Sequence, residues 1–431
     1  MILFYLHTIY HILQRNETLG NPGRHTQSLG FCRKLWHDAA NFPYFQRHHN
    51  FTGFLLKRSF ALLVPVLLLS LSACSSTGQS VQSSDRGSST QSGTSGPTGW
   101  AAENRSLSAN RNTFVAQVSE RHAIPRSHIE QLLATATVDD RVVRLMTPKG
   151  TGGRVTRAWL SYRSRFVEPI RLRKGTTFWD ANRQTLNRAE KTYGVPAAII
   201  AAIIGVETVY GEQTGSFRVL DTLYTLGFHH PEANRPEKAQ MFRNQLAALL
   251  DLDYRDKVDA NAATGSFAGA IGLPQFMPVS IEHYAVDGDN DGHIDLRYSA
   301  QDAILSVANY LAKHGWRADA PVFAPVTLPA NAASLVDGGL EPSMSWRQLQ
   351  SHGAKLRAGA SGGNWQNGKE IGVIDLRDEV RGVHEYRTAT RNFFAITKYN
   401  RSYFYAASVA ELAHGLAQRQ RANGHQVTMP Y

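Results

Sequence analysis

The chain has 431 residues, with 46 Lys and Arg against 35 Asp and Glu, and carries a formal net charge of +11. Hydrophobic residues make up 42% and aromatic residues 10%, which excludes a wholly disordered or collagen-like chain because enough apolar surface exists to offset the entropy of folding. The length allows about two or three domains. The only cysteines are Cys32 and Cys74, so a disulfide scaffold and a four-thiolate zinc site are excluded.

An export signal is predicted at residues 55–73. Two basic residues precede an apolar run at 60–71, which is too short to span a bilayer but fits a secretory signal. The run ends in Leu-Ser-Ala-Cys, which resembles a bacterial lipobox and predicts lipid modification of Cys74. Because Ser75 replaces the Asp that retains lipoproteins in the inner membrane, we expect an outer-membrane lipoprotein facing the periplasm. The alternatives are an ordinary cleaved signal with a chance cysteine, or a short buried helix.

The segments on either side of this signal are not expected to fold. Residues 1–54 fit nothing downstream, and we interpret them as an N-terminal extension that arises from an incorrect translation start. Residues 75–99 consist mostly of Ser, Gly and Thr, a composition typical of a flexible chain. Residues 74–103 are therefore predicted to be the lipidated cysteine and its tether.

The remainder of the chain is expected to be mainly α. Apolar spacing and turn residues predict helices at residues 178–193, from Pro196 onward, and at 236–250, 300–314 and 403–418. Between 320 and 390, short β-branched runs separated by Gly and Pro predict a small β-containing subdomain. The expected organisation is a helical region at 104–319, the β-containing subdomain at 320–390, and a C-terminal part of the helical core at 391–431.

Glu207 stands at the end of an apolar helix. Residues 196–206 are all non-polar, so this helix is expected to be buried on every side. A carboxyl group at its tip is poorly solvated when charged, which raises its pKa and keeps a proton available for general acid catalysis. The residues alone also allow Glu207 to emerge into solvent at a frayed helix end, or to pair with a structural arginine.

Four motifs in a fixed order carry a resemblance to a known family. They are GVETVYG at 205–211, GAIGLPQFMP at 269–278, RNF at 391–393 and YN at 399–400. Together they resemble the family 3 lytic murein transglycosylases. The resemblance implies a lysozyme-like core and an enzyme without a catalytic cofactor. It also implies cleavage of the β-1,4 bond between N-acetylmuramic acid and N-acetylglucosamine in peptidoglycan, which leaves a 1,6-anhydro sugar.

The resemblance also implies roles for individual residues. Glu207 matches the catalytic acid, which protonates the leaving oxygen and then, as a carboxylate, takes the proton of the C6 hydroxyl. The residues that match the sugar-binding cleft are Tyr162, Ser266, Gln275, Phe276, Tyr310, Tyr399, Asn400 and Tyr405. Rings and amides suit the apolar faces and hydroxyl rims of sugars, but core packing stays open for Phe276 and Tyr310. The basic pair of the family is not cleanly present, and Arg235 and Lys238 are its candidates.

A further motif, DGDNDGHID at 287–295, follows the pattern of a calcium loop. Position 12 is Tyr298 where a bidentate Glu belongs, and the resemblance implies a longer loop, 287–302, closed by a later Asp. The expected ligands are Asp287, Asp289, Asp291, His293 through its backbone carbonyl, and Asp302. We expect structural calcium that braces the cleft, with sodium or an empty turn as alternatives.

Three functions are compatible with these motifs. The leading hypothesis is a lytic transglycosylase; the others are a lysozyme-type hydrolase that uses water and an inactive peptidoglycan-binding lipoprotein. The expected partners are peptidoglycan glycan strands, the outer membrane through the lipid anchor, and other cell-wall enzymes. The modest positive charge suits an anionic wall or membrane surface. No basic stretch is dense enough to indicate nucleic-acid binding.

Overall fold

The computed structural model describes residues 99–148 and 154–431, with side chains from residue 110 onward. The predicted extension at 1–54, the signal at 55–73, Cys74 and most of the tether lie outside the described residues. The first described helix begins at Gly99, earlier than the predicted start of the folded part at residue 104.

Fourteen helices make up most of the described residues. The first seven are α1 (Gly99–His122), α2 (Arg126–Thr135), α3 (Asp140–Met146), α4 (Trp159–Arg163), α5 (Pro169–Ala181), α6 (Arg183–Tyr193) and α7 (Ala197–Thr208). The others are α8 (Val219–Phe228), α9 (Pro236–Tyr254), α10 (Pro278–Tyr284), α11 (Ala300–Lys313), α12 (Trp346–Ser351), α13 (Arg391–Tyr399) and α14 (Tyr403–Ala422). Two short 3-10 helices lie at Ala332–Leu335 and Asn364–Gln366.

Six short strands form three antiparallel pairs in the described part of the chain. They are β1 (Phe217–Arg218), β2 (Thr264–Gly265), β3 (Val326–Thr327), β4 (Lys355–Leu356), β5 (Ile371–Asp378) and β6 (Val383–Thr390). The longest pair, β5 with β6, runs in register from Ile371 opposite Thr390 to Asp378 opposite Val383. Four of the strands lie between 320 and 390, so the prediction of a mainly helical fold with a small β-containing subdomain is confirmed.

Helix α7 is the centre of the helical core. All of its residues are buried, because its Ala and Ile side chains leave no polar face, and it packs against α5, α6, α11 and α14. Each fully buried Ile contributes about 1.5–3 kcal/mol relative to an exposed one. The predicted burial on every side is confirmed.

The two ends of α7 are fixed by residues outside the helix. Pro196 has no side chain that can cap the first turn, and Glu190 Oε2 accepts a 2.9 Å hydrogen bond from the Ala197 N–H instead. After the last turn, Tyr210 has a left-handed φ of +59°, which turns its ring back over α7. A Cβ at Gly205 would overlap the Tyr210 hydroxyl and ring, so glycine at position 205 lets this ring pack against the helix.

The single helix predicted over residues 178–193 is wrong in one respect, because the chain breaks at Asn182. The Asn182 backbone has φ −116° and ψ 19°, outside the helical region. Its side-chain amide donates a 2.9 Å hydrogen bond to the Phe178 carbonyl. Asn side chains compete with the helical backbone in this way, and α5 and α6 are therefore separate helices.

Among the described helices, none alone combines the length and apolar composition needed to cross a membrane. Helices α6 and α7 meet those criteria only as a pair, and the pair is bent by 115° at its break.

Candidate active site

Glu207 lies in the last turn of α7 and is buried, with 5% of its surface exposed. The Tyr405 hydroxyl donates a 2.7 Å hydrogen bond to Glu207 Oε1. Burial raises the pKa of Glu207 to about 7, although the Tyr405 hydrogen bond favours the carboxylate and opposes that rise. Glu207 is therefore poised to give up and take back a proton near neutral pH.

Three tyrosines surround this carboxyl group. Burial is the main cause that raises the pKa of Tyr162, Tyr399 and Tyr405, and the negative charge of Glu207 raises it further. The rings of Tyr399 and Tyr405 are stacked, with centroids 6.3 Å apart and an angle of 15° between their planes. All three are held in the neutral form, in which each hydroxyl can donate a hydrogen bond.

A cluster of aromatic rings continues from Tyr399. The centroid of Tyr310 is 4.9 Å from that of Tyr399, and the Phe276 centroid is 5.5 Å from Tyr310 and 5.8 Å from Tyr399. Phe276 and Tyr310 are buried, and the Tyr310 hydroxyl donates to the Lys398 carbonyl at 2.8 Å. The Tyr399 hydroxyl donates to the Pro274 carbonyl. These contacts give Phe276 and Tyr310 a packing role, and their contact with sugar stays a prediction.

The loop that follows β2 is held by two of the predicted cleft residues. Ser266 Oγ accepts hydrogen bonds from the backbone N–H of Ala268 and Ala270. Gln275 has a left-handed φ of +51°, and its amide donates to the Gly272 carbonyl at 2.9 Å and to the Thr214 carbonyl at 3.2 Å. Both side chains are buried and shape the loop.

Two further polar residues join the site to neighbouring segments. Thr208, next to Glu207, donates to the Leu273 carbonyl at 3.0 Å and so ties the end of α7 to this loop. Asn400 follows α13 and is 8% exposed. The Ser402 hydroxyl accepts from the Tyr405 N–H at 3.3 Å, which caps α14 and places Tyr405 in its first turn.

Other charged residues near Glu207 in the sequence do not share its environment. Glu212 is 54% exposed and pairs with Lys174. Asp221 accepts hydrogen bonds of 2.9 Å from Arg218 and from the Thr137 backbone N–H. These contacts indicate a structural or solvent-facing role for both acids.

Arg235 and Lys238 are the candidates for the basic pair of the family, and each forms an ion pair with a neighbouring acid. Arg235 Nε lies 3.0 Å from Glu237, and Lys238 pairs with Glu232. Their contact with a substrate stays a prediction.

Arg171 supports the site although no sequence pattern predicted it. Its guanidinium donates to the Gly205 carbonyl at 3.0 Å and to the Arg165 carbonyl at 2.6 Å, and lies 3.5 Å from Glu168. It therefore holds the last turn of α7, which carries Glu207, against the segment before α5. Its position in a basic stretch of α5 contains no signal for this role.

Three of the predicted calcium ligands converge. Asp287, Asp289 and Asp302 each place a carboxylate oxygen within 4.8 Å of the others. Asp302 is almost fully buried, and its oxygens accept from the backbone N–H groups of Gly288 at 2.8 Å and Asp295 at 2.7 Å. Three close carboxylates repel one another unless a cation lies between them, and hard oxygen donors are those that calcium prefers. The residues present fit a calcium ion.

The other predicted ligands lie outside this group of three. Asp291 Oδ1 accepts from the His293 N–H at 2.8 Å, and the His293 ring nitrogen Nδ1 is 3.2 Å from the Asp256 carbonyl oxygen. Tyr298, at the position where the usual motif has Glu, is 80% exposed. The ligand roles of Asp291 and His293 stay predictions.

A helical core that buries a single proton-carrying carboxyl group among tyrosines defines a class of acid–base enzyme. Residues 106–414 match the family of the Transglycosylase SLT domain. The chain is 35% identical to membrane-bound lytic murein transglycosylase B of Escherichia coli over 385 residues, which cover 84% of this chain and 99% of that protein. The chain therefore belongs to the SLT-domain family of lytic transglycosylases, and the predicted family and enzyme class are confirmed.

Solved structures agree with this assignment. The catenated lytic transglycosylase SltB1 of Pseudomonas aeruginosa has a TM-score of 0.63 and 35% identity, over 72% of this chain and 97% of that one. The E. coli lytic transglycosylase Slt35 in complex with calcium has a TM-score of 0.60 and 35% identity, over 72% and 94%. SltB3 of P. aeruginosa in complex with NAG-anhNAM-pentapeptide has a TM-score of 0.60 and 28% identity, over 75% and 81%. The lysozyme-like fold class is confirmed.

Proposed function

We propose that this protein cleaves the β-1,4 bond between N-acetylmuramic acid and N-acetylglucosamine in peptidoglycan and leaves a 1,6-anhydromuramic end. The observation that carries the proposal is the environment of Glu207, which is one buried carboxyl group with a pKa raised to about 7. Its side-chain hydrogen-bond partner among the described residues is the Tyr405 hydroxyl and not a second acid. A hydrolase of the usual type needs a second carboxylate to activate water or to form a covalent intermediate.

The reaction uses Glu207 twice. The protonated carboxyl group donates its proton to the glycosidic oxygen, and the bond between that oxygen and C1 of the muramic residue breaks. The hydrogen bond from Tyr405 stabilises the carboxylate that this leaves. The carboxylate then takes the proton of the C6 hydroxyl of the same muramic residue. The oxygen of that hydroxyl bonds to C1 and closes the anhydro ring. Because the nucleophile belongs to the substrate, the second step is intramolecular and no water is consumed.

The proposed glycan site lies along the aromatic cluster beside Glu207. Tyr162, Tyr399 and Tyr405 border the carboxyl group, and neutral tyrosines offer both an apolar ring and a hydroxyl group to a sugar. Phe276 and Tyr310 pack against the Tyr399 ring. Ser266, Gln275 and Asn400 are proposed to act through the loop and chain segments that they hold, or through direct contact with sugar hydroxyls.

The product distinguishes this function from the two alternatives. Purified sacculi are digested with the protein, and the released muropeptides are weighed. A transglycosylase releases products lighter by one water than those of a hydrolase, and an inactive binding protein releases none. Products with the mass of hydrolysis would favour a lysozyme-type enzyme and overturn the proposal.

We further propose that Asp287, Asp289 and Asp302 hold a structural calcium ion, with Asp291 and the His293 carbonyl completing its ligands. The ion would neutralise the three carboxylates and brace the loop that precedes α11. It takes no part in bond cleavage. A relative solved in complex with calcium supports the choice of metal, and sodium is the alternative occupant.

The cellular location is proposed from the N-terminal signal together with the relatives. The E. coli relative is described as membrane-bound, which suits a protein anchored in the outer membrane and facing the periplasm. The lipid on Cys74 is the proposed anchor. Contacts with other cell-wall enzymes, and the lack of a nucleic-acid partner, stay predictions from the sequence.

A further inference from the structure

A cavity of about 480 Å³ lies in the β-containing subdomain. Its lining includes Asp319, Phe323, Arg357, Trp365, Arg387 and Thr388. None of these residues belongs to the group around Glu207. The volume falls within the range of about 300–1,000 Å³ that is typical of small-molecule sites.

The two cations of the lining differ in their partners. Arg387 pairs with Glu385 and Glu411 at 2.5 Å, and its guanidinium lies over the Phe323 ring. Arg357 is exposed, and its side chain has no hydrogen bond or ion pair with any described residue. Its backbone N–H donates to the Pro325 carbonyl at 2.9 Å, which fixes the start of the side chain at the cavity wall. Arg357 can therefore bind an anionic group without breaking an existing pair.

An acidic group and a buried hydroxyl complete the polar lining. Asp319 is half exposed, and its Oδ2 accepts a hydrogen bond from the Asn364 side-chain amide. Its nearest cation, Arg317, lies 3.9 Å from Oδ1, so no close cation neutralises its charge. Thr388 is 2% exposed, and its hydroxyl has no hydrogen-bond partner in the described part of the chain. An unpaired buried hydroxyl costs about 1–3 kcal/mol, and a ligand that reaches it removes this cost.

The remaining wall is apolar. Phe323 and Trp365 are 7% and 3% exposed, and Trp365 packs edge-on against Trp346. The cavity thus offers one unpaired cation, one anion without a close cation, and buried aromatic walls. A glycan presents hydroxyl groups but no pair of opposite charges, whereas a short peptide presents carboxylates, an amine and small apolar side chains.

We propose that this cavity binds the peptide stem of peptidoglycan, with a stem carboxylate on Arg357 and an ammonium group on Asp319. The inference rests on the proposed function, which makes peptide-bearing glycan the substrate. It places recognition of the peptide in the β-containing subdomain, and recognition of the glycan beside Glu207.

The test uses the full chain with Glu207→Gln, so that no ligand is consumed. The free pentapeptide stem and the uncharged, peptide-free disaccharide NAG-NAG are titrated separately by calorimetry. The pentapeptide should bind, and Arg357→Gln should weaken its binding about tenfold, since a hydrogen bond to a charged group is typically worth at least that factor. Arg347→Gln is the matched control, because Arg347 is exposed in the same subdomain and does not line the cavity.

Several results would overturn the inference: no binding of the pentapeptide, equal affinity in Arg357→Gln, or an equal loss in Arg347→Gln. An equal loss of disaccharide binding in Arg357→Gln would also overturn it, because the cavity would then recognise sugar. These failures leave the reaction at Glu207 standing. A wild-type protein that releases no anhydro product from sacculi would instead overturn the reaction and leave the binding result unchanged.

Discussion

The Tyr405 hydroxyl donates its hydrogen bond to Glu207 Oε1 across 198 positions of the chain. The contact joins the last turn of α7 to the first turn of α14. It acts against the burial that raises the pKa of Glu207, because it stabilises the charged form. Tyr405 therefore sets how readily the proton leaves.

Tyr405→Phe should shift the pH dependence of the reaction. Loss of the donor removes the interaction that favours the carboxylate, so the pKa of Glu207 rises further above its ordinary value. The alkaline fall in kcat/KM should move to higher pH, and the maximal rate should drop about 10- to 100-fold. Tyr403→Phe is the control, because its hydroxyl donates to the Gly339 carbonyl. An alkaline limb that stays in place in Tyr405→Phe would contradict this role.

The buried carboxyl group should also make stability depend on pH. The pKa of Glu207 is raised from 4.5 to about 7 in the folded state, so the folded chain binds this proton more tightly than the unfolded chain. The protonated Glu207 carboxyl group contributes its full stability below pH 4.5, and this contribution is lost as pH rises through 7. The free energy of unfolding falls by about 3 kcal/mol over this range.

Urea unfolding at several pH values measures this change. The free energy of unfolding of wild type, relative to that of Glu207→Gln, should fall by that amount between pH 4 and pH 8, because the amide does not titrate. A difference that is the same at both ends would show that Glu207 titrates normally.

Calcium should raise the melting temperature. An ion that binds only the folded state stabilises it by about 2.7 kcal/mol at one hundred times its Kd. Asp289→Asn should remove most of the response, since it takes one carboxylate from the group of three. Glu282→Gln is the control, because Glu282 belongs to a separate cluster with His122 and Asp251. Loss of the response in Glu282→Gln alone would place the ion in that second cluster.

Lipid anchoring is tested by Cys74→Ser. The thiol is the attachment point for the lipid, so the variant should appear as a soluble or unprocessed protein after cell fractionation. Recovery of a processed Cys74→Ser protein in the outer-membrane fraction would mean that another anchor exists.

Local patterns predicted the parts of the fold that depend on local composition. The apolar run at 196–206 was sufficient to predict a fully buried helix, because no polar residue interrupts it. The break at Asn182 was missed, since a single side-chain hydrogen bond decides it. Strand β6 lies within the predicted β-containing subdomain, but it begins with two exposed residues, Val383 and His384, and has no alternating apolar pattern that would define it as a strand by itself.

Long-range contacts at the site were beyond the reach of local patterns. The resemblance named Tyr405 and Asp302, whereas spacing alone does not place either beside its partners. The hydrogen bond from Arg171 to the Gly205 carbonyl forms because α5 packs against α7. The sequence of either helix alone does not predict this contact. Burial of Glu207 was one of the environments that its place at the end of an apolar helix allowed, and the structure shows that Glu207 is buried.

The most direct measurement is the digestion of sacculi by wild type, Glu207→Gln and Glu212→Gln, with the released products weighed. Glu212→Gln is the matched control, because Glu212 is an exposed acid in the same motif region that pairs with Lys174. Wild type and Glu212→Gln should release anhydromuropeptides at similar rates. Glu207→Gln should be slower by about 10² to 10⁴, the usual worth of a general acid or base. Near-normal release by Glu207→Gln, or its loss in Glu212→Gln, would contradict the assignment of Glu207 as the catalytic acid.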